Sequence, residues 1–192
     1  MKRGFTLIEL LIVVAIIAIL AAIAIPNFLA AQTRSKVSSV RANFTTLATG
    51  LESYYVDNNE YIPAWNEDEL RWYYPWERLT RLTTPIAYLS SFPKDVFENN
   101  DATNWTYWGG YYWYEDRKST KEYWQTYIPR IAARTQIQYV IISKGPNLLD
   151  DFWVPSPSQV REYDPTNGII SIGDLRYWGP GNIPTAALIP SF

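Results

Sequence analysis

The sequence predicts an α+β protein: one long N-terminal helix, with a membrane half and an amphipathic half, packed against a small antiparallel sheet with long loops. Three observations carry this. The chain opens on "RGFTLIELLIVVAIIAIL", and the apolar run continues without another charge to Ile25. A regular apolar stripe at helical spacing follows, from Val37 to Tyr54. Beyond it the texture changes to Pro-, Trp- and Tyr-rich stretches, in which short alternating runs are punctuated by Gly, Asn and Asp.

The first half of the helix is the apolar run itself. From Phe5 to Ile25 the sole charged residue is Glu9. At about 1.5 Å per residue such a run reaches across the roughly 30 Å of a bilayer core. Lys2 and Arg3 in front of it favour a cytoplasmic N-terminus, although Arg34, Lys36 and Arg41 follow it. A cleaved secretory signal has a shorter apolar stretch ending in a small-residue site, which Ala21-Ala22-Ile23-Ala24 imitates poorly. Glu9 stands out because a lone carboxylate is costly in lipid, so an ionisable residue inside a span points to function. The plainer reading places it shallow, reaching for the headgroups near Lys2 and Arg3.

Pro26 closes the apolar run, and a proline removes one helical hydrogen bond. Helical periodicity nevertheless resumes. Val37, Val40, Phe44, Leu47, Leu51 and Tyr54 form one stripe, with Ser, Thr, Arg and Asn on the other face. The helix is therefore expected from about Phe5 to Tyr55, kinked near Pro26, with Asp57-Asn58-Asn59 as the turn that ends it. In the head, "ERLTRLTTPIAYLSSFPKDVF" predicts a short helix near Leu79–Leu82 and then a loop through Pro85 and Pro93. "TYWGGYYWYED" reads as a hairpin about Gly109-Gly110 or as an aromatic loop. "QIQYVIISKG" alternates Ile137, Tyr139 and Ile141 against Gln136 and Gln138 and is the clearest strand. "NGIISIGDLRYWGPG" predicts a turn at Asn167-Gly168, a strand from Ile169, a turn at Gly173-Asp174 and a last short strand.

Composition excludes several functions. There is no Cys and no His in the 192 residues. Disulfides, thiolate chemistry, the usual zinc sites and Ser-His or Cys-His pairs are thereby ruled out. With 17 Lys and Arg against 19 Asp and Glu, there is no basic excess for a nucleic-acid groove. No pair of carboxylates is singled out for hydrolytic chemistry, so the expectation is a protein that is not an enzyme.

Gly4-Phe5-Thr6-Leu7-Ile8-Glu9, after a short basic leader and before a long apolar run, closely resembles the prepilin signal of type IV pilins and type II secretion pseudopilins. The resemblance implies a pilin-like fold and a chain in three parts. Residues 1–4 are a leader, 5–33 a transmembrane and filament-core helix, and 34–192 a head that includes the amphipathic half of the helix. It implies cleavage between Gly4 and Phe5 by a prepilin peptidase, N-methylation of Phe5, and pairing of Glu9 with the N-terminal amine of a neighbouring subunit. The implied partners are identical or homologous subunits, the peptidase-methylase and an inner-membrane assembly platform. The implied locations are the bacterial inner membrane and then a periplasmic or surface filament. The Leu-Thr-Thr-Pro stretch, the Ser-x-Gly-Pro turn and the absence of Cys resemble a secretion-type major pseudopilin more than an adhesive pilin.

The same resemblance implies a calcium loop. Ser143, Gly145 and Pro146 match its opening; Asn147 stands where the family usually has Asp, and Asp150 and Asp151 follow. Asn147, Asp150, Asp151 and backbone carbonyls, completed by Asp174 or Asp164, would offer the oxygen ligands that Ca²⁺ takes. An ordinary acidic turn is the alternative. The 9 Trp and 15 Tyr have three readings: core packing, a sugar-binding face, or subunit contact. A membrane-anchored binding module with an aromatic head, for polysaccharide, is the alternative function. Asn43-Phe44-Thr45 and Asn104-Trp105-Thr106 match the N-glycosylation pattern, a frequent accidental match.

Overall fold

The computed structural model describes residues 5–66, 71–72, 74–98, 109–127, 132–151, 162–167 and 171–181. The chain divides into two compact units, Met1–Ser35 and Lys36–Phe192. Helix α1, Leu7–Asn58, supplies the described residues of the first almost entirely, and its second half belongs to the other. It runs through Pro26 without interruption. It ends as the Asp-Asn-Asn sequence predicts: Asn59 adopts a left-handed φ of 56°, and its N–H bonds the Tyr55 carbonyl at 2.8 Å. Asn tolerates that conformation better than most residues and suits a helix C-terminus.

In the first unit the apolar residues of α1 point outward all round, from Leu7 to Leu29. In the second unit the predicted stripe is the core. Val37, Val40, Phe44, Leu47 and Leu51 are buried against Ile62, Leu79, Leu82, Tyr112, Tyr114, Tyr139, Ile141 and Leu175, and Tyr54 packs at the edge.

The sheet holds three antiparallel strands: β3 (Trp113–Asp116), β4 (Tyr139–Ser143) and β5 (Leu175–Gly179), with β4 in the middle. Register puts Tyr114, Ile141 and Tyr177 side by side, and likewise Glu115, Val140 and Trp178. Opposed residues share a face and successive residues alternate faces. Tyr114, Tyr139, Ile141 and Tyr177 therefore pack toward the helix stripe. The opposite face carries Trp113, Glu115, Val140, Ile142, Arg176 and Trp178. That face is also covered. Trp124 of α3 (Lys121–Tyr127) meets Trp178 edge-on, and Arg78 of α2 (Pro75–Thr80) lies 4.5 Å over the Trp113 ring.

The predicted alternation holds at its named residues, with Ile137, Tyr139 and Ile141 buried, Gln138 half-buried and Gln136 exposed, but within β4 Val140 and Ile142 are buried as well, because both faces of the central strand are covered. The hairpin expected about Gly109-Gly110 is seen only from its turn onward. The turn is present, but β3 pairs with β4, and the expected first strand lies outside the described residues. So do Ile169 and Ile170, where a strand was expected to begin. Helix α2 starts four residues earlier than expected, with Pro75 at its first position and the Tyr74 N–H held by Glu77 Oε2 at 2.6 Å. A two-stranded ribbon, β1 (Trp65–Asn66) with β2 (Arg71–Trp72), and helix α3 were not predicted.

Candidate functional site

Two places collect the residues that the sequence singled out. The first is the start of α1, where Thr6 is the N-cap and Glu9 stands in the first turn. Glu9 Oε2 accepts from the Thr6 N–H at 2.9 Å and from Thr6 Oγ1 at 2.7 Å, while the Glu9 N–H reaches Thr6 Oγ1 at 3.4 Å. This reciprocal pair is a capping box, in which Ser or Thr and a Glu three residues on satisfy two orphan helix donors. Thr-x-x-Glu ahead of an apolar run is its sequence signature, and the sequence reading passed over it. Glu9 thus has a local partner within its own chain and remains exposed at the helix start. Phe5 is exposed beside it; Gly4 lies outside the described residues.

The second place is the acidic turn after β4. The structure brings Asn147, Asp151 and Asp174 together. Asp151 Oδ2 accepts from Asn147 Nδ2 at 2.7 Å and from the Gly173 N–H at 2.7 Å. The Asp151 N–H donates to Asp174 Oδ1 at 3.1 Å, and Arg176 Nη2 lies 2.7 Å from Asp174 Oδ2. Two loops far apart in sequence are clasped in this way. Gly173 permits the approach: its φ is 125°, and a Cβ there would stand 2.6 Å from the Glu162 carbonyl carbon. Asp150 is near enough for its charge to bear on Asp174. Asp164 stands apart in its own turn, where Oδ1 accepts from the N–H and Oγ1 of Thr166. Burial raises the Asp174 carboxyl above the ordinary range, and the Arg176 guanidinium draws it partly back.

A Ca²⁺ ion takes six to eight oxygens. Here an ion in the clasp would face the N–H groups of Asp151, Gly173 and Asn147, with a guanidinium alongside, so the set as folded does not fit it. Among the described residues, no group of three or more His, Cys, Asp or Glu is arranged to hold a metal ion.

Three buried polar clusters went unread in the sequence. Glu52, on the non-stripe face of α1, receives Tyr139 Oη at 2.8 Å and Tyr61 Oη at 3.0 Å and so ties helix to sheet. Glu115 accepts from the indoles of Trp113 and Trp124 at 2.9 and 3.0 Å, beneath the buried Arg78. Lys144, within the Ser-x-Gly-Pro motif, is buried against Glu98 at 3.0 Å. Many aromatics are therefore core, the first of the three readings. Asn43 donates to Tyr112 Oη at 2.8 Å from a half-buried place on α1, an unfavourable setting for a glycan; Asn104 lies outside the described residues.

Among the described residues one helix, α1, is long and apolar enough to cross a membrane. It begins with a capped carboxylate, and its first half exposes large apolar side chains, a surface of the kind that suits lipid or other apolar helices. The model of the prokaryotic N-terminal methylation motif matches residues 1–25. The chain is 55% identical over 66 residues to the type IV major pilin protein PilA of Myxococcus xanthus, covering 34% of this chain and 30% of that one. It is 56% identical over 59 residues to the type IV wide pilus major component PilA4 of Thermus thermophilus, covering 31% and 45%. It is 32% identical over 60 residues to the type II secretion system core protein G of Pectobacterium carotovorum, covering 31% and 38%. The chain spans less than half the length of these curated relatives. No solved structure matches it significantly. By this motif and these matches the N-terminal third of the chain is similar to type IV pilins and to a type II secretion core protein.

Proposed function

We propose that this chain is the precursor of a structural filament subunit. It is cut after Gly4 by a prepilin peptidase and N-methylated on Phe5. It is held in the bacterial inner membrane by residues 5–33, with the head of 34–192 outside the cytoplasm. An inner-membrane platform then assembles it with identical or homologous subunits into a pilus or secretion pseudopilus. One observation carries the reading: under an N-terminal methylation motif stands a helix whose first half exposes its large apolar side chains, with one carboxylate in its first turn. Moving that surface from lipid into a bundle of like helices exchanges one apolar setting for another, so burial itself gives little net driving force. A polar contact must then set register, and Glu9 beside a free Phe5 amine supplies it. Such a head-to-tail interface repeats without closing. The matched third is common to pilus and secretion relatives, and the Ser-x-Gly-Pro turn supports the secretion type.

The N-terminus of protein from its native cells tests this by intact mass. A start at N-methyl-Phe5 is expected; a start at Met1 would overturn the reading. The capping box sharpens the role of Glu9. Glu9→Gln keeps an acceptor for the Thr6 N–H but removes the charge. We expect inserted protein that enters filaments at less than about a tenth of the wild-type level, the effect of losing roughly 1.4 kcal/mol or more of pairing. Normal filaments from this variant would reduce Glu9 to a helix cap.

A further inference from the structure

The clasp between the turn at Gly145–Asp151 and the segment at Ser171–Asp174 holds more negative charge than its surroundings would tolerate unaided. Asp174 is wholly buried and Asp151 nearly so. A buried carboxylate without a countercharge is among the most costly arrangements in a folded protein. A bound divalent cation is one way to supply that charge, and the resemblance to secretion-type subunits suggests it. The geometry supplies it differently. Asp174 and Arg176 stand two residues apart where β5 begins, a spacing that puts both side chains on one face of the strand. Arg176 Nη2 lies 2.7 Å from Asp174 Oδ2, and neither side chain has any exposed surface. The other Asp174 oxygen and Asp151 Oδ2 accept N–H groups from Asp151, Gly173 and Asn147. Every one of these donors presents hydrogen, not oxygen, to the centre of the clasp.

We infer that Arg176 is the resident cation of this clasp, supplying the positive charge that the resemblance would assign to Ca²⁺, and that the loop pair closes without metal. A guanidinium suits the position. It stays charged under all ordinary conditions and offers donors in a planar fork matched to a carboxylate. Because it is covalently part of β5, its local concentration does not depend on the medium. The clasp is therefore set by folding alone, whereas a calcium-held loop opens when the ion is withdrawn. The inference concerns the head alone and stands whether or not the chain forms filaments.

The test uses the full chain in detergent micelles, followed by tryptophan fluorescence. Every Trp lies at or beyond Trp65, so the signal reports the second unit. The wild-type Tm should be the same in millimolar CaCl₂ and in EGTA. A rise with CaCl₂ that Asp174→Asn abolishes would overturn the inference. Arg176→Met keeps the length of the side chain and removes its charge; it should lower Tm by several degrees, with Arg176→Lys falling between it and wild type. An Arg176→Met protein that melts with the wild type would also overturn it. Where Arg176→Met does not fold, Arg176→Lys and the wild-type calcium comparison still decide. The double variant Arg176→Met with Asp174→Asn separates charge from packing: it should melt above Arg176→Met alone, because the orphaned carboxylate is gone. A double variant that melts lower would mean that Arg176 serves by packing, and the charge argument would fail.

Discussion

Phe28 and Phe44 belong to the same helix, yet the first is 62% exposed and the second 2%. Both are apolar and both sit in unbroken α1. The difference lies in what their neighbours on the helix surface are. From Leu10 to Ile25, in the turns leading up to Phe28, every face is apolar, so no rotation of the helix could hide it all against one partner surface. Around Phe44 the apolar residues are confined to one stripe, which a small sheet can cover completely. The first half of α1 is thus left unburied by its own chain, and the second half is finished within the chain. The two halves differ correspondingly in which variants they should tolerate.

The largest expected effect breaks this comparison directly. Phe44→Ala removes a ring that meets Tyr112 at 5.3 Å and Tyr177 at 6.4 Å, both edge-on. It should destabilise the head by about 3–5 kcal/mol, the usual cost of deleting a buried aromatic. Phe28→Ala in the same helix should leave the head's tryptophan melt unmoved. A shift from Phe28→Ala comparable with that from Phe44→Ala would mean that the halves are not independent in stability.

The next effect concerns the sheet that covers the second half. Gly179 lies opposite Tyr139 in the β4–β5 register, and a Cβ there would fall 2.0 Å from the Tyr139 ring. That ring cannot swing aside without loss. It lies in contact with Tyr61, and its hydroxyl is bonded to Glu52 of α1. Gly179→Ala should therefore cost roughly 3 kcal/mol, at the upper end of ordinary overpacking. Urea midpoints would show it, and a nearly neutral alanine would mean that the Tyr139 ring moves freely.

These two residues also show what the sequence could reveal. The stripe that contains Phe44 was legible because its spacings of three and four residues belong to a helix and to nothing else. The end of α1 was legible because Asn58-Asn59 is local chemistry. The strand at β4 was legible as a strand, but its buried alternate residues were not, since Trp124 and Arg78 arrive from elsewhere in the chain to cover them. Gly179 reads only as a turn residue until its neighbour across the sheet is known. Helix α3 was missed because seven residues, KEYWQTY, are too few to show a period. At the candidate sites, Thr6 and Glu9 were a readable motif left unread. The Asp151–Gly173 and Asp174–Arg176 contacts depend on long-range closure, and only the second was within reach as an i, i+2 pair.

The smallest expected effect tests a single buried charge within the finished half. Asp95 is 5% exposed, and its Oδ1 accepts the Phe97 N–H at 2.9 Å. Burial pushes its carboxyl up to about 6; the Phe97 N–H, Ser143 and Lys144 pull it down and Glu98 adds to the rise. The folded chain therefore holds this proton more tightly than the unfolded one. Its contribution to stability is complete below the unfolded value of 3.8 and is lost as pH rises through about 6. At neutral pH the ionised carboxylate is a burden that Asp95→Asn removes while keeping an acceptor for Phe97. The variant's advantage over wild type should grow by ~1 kcal/mol between about pH 5 and about pH 7, one pKa unit being worth about 1.4 kcal/mol. Lys144, paired with Glu98 in the same pocket, keeps the gain from being larger. Groups common to both proteins cancel in the difference, so urea midpoints of the two at each pH isolate Asp95. A gap that stays constant with pH would show that Lys144 already neutralises the carboxylate in full, and a gap that narrows would mean that the Asp95 charge stabilises the head.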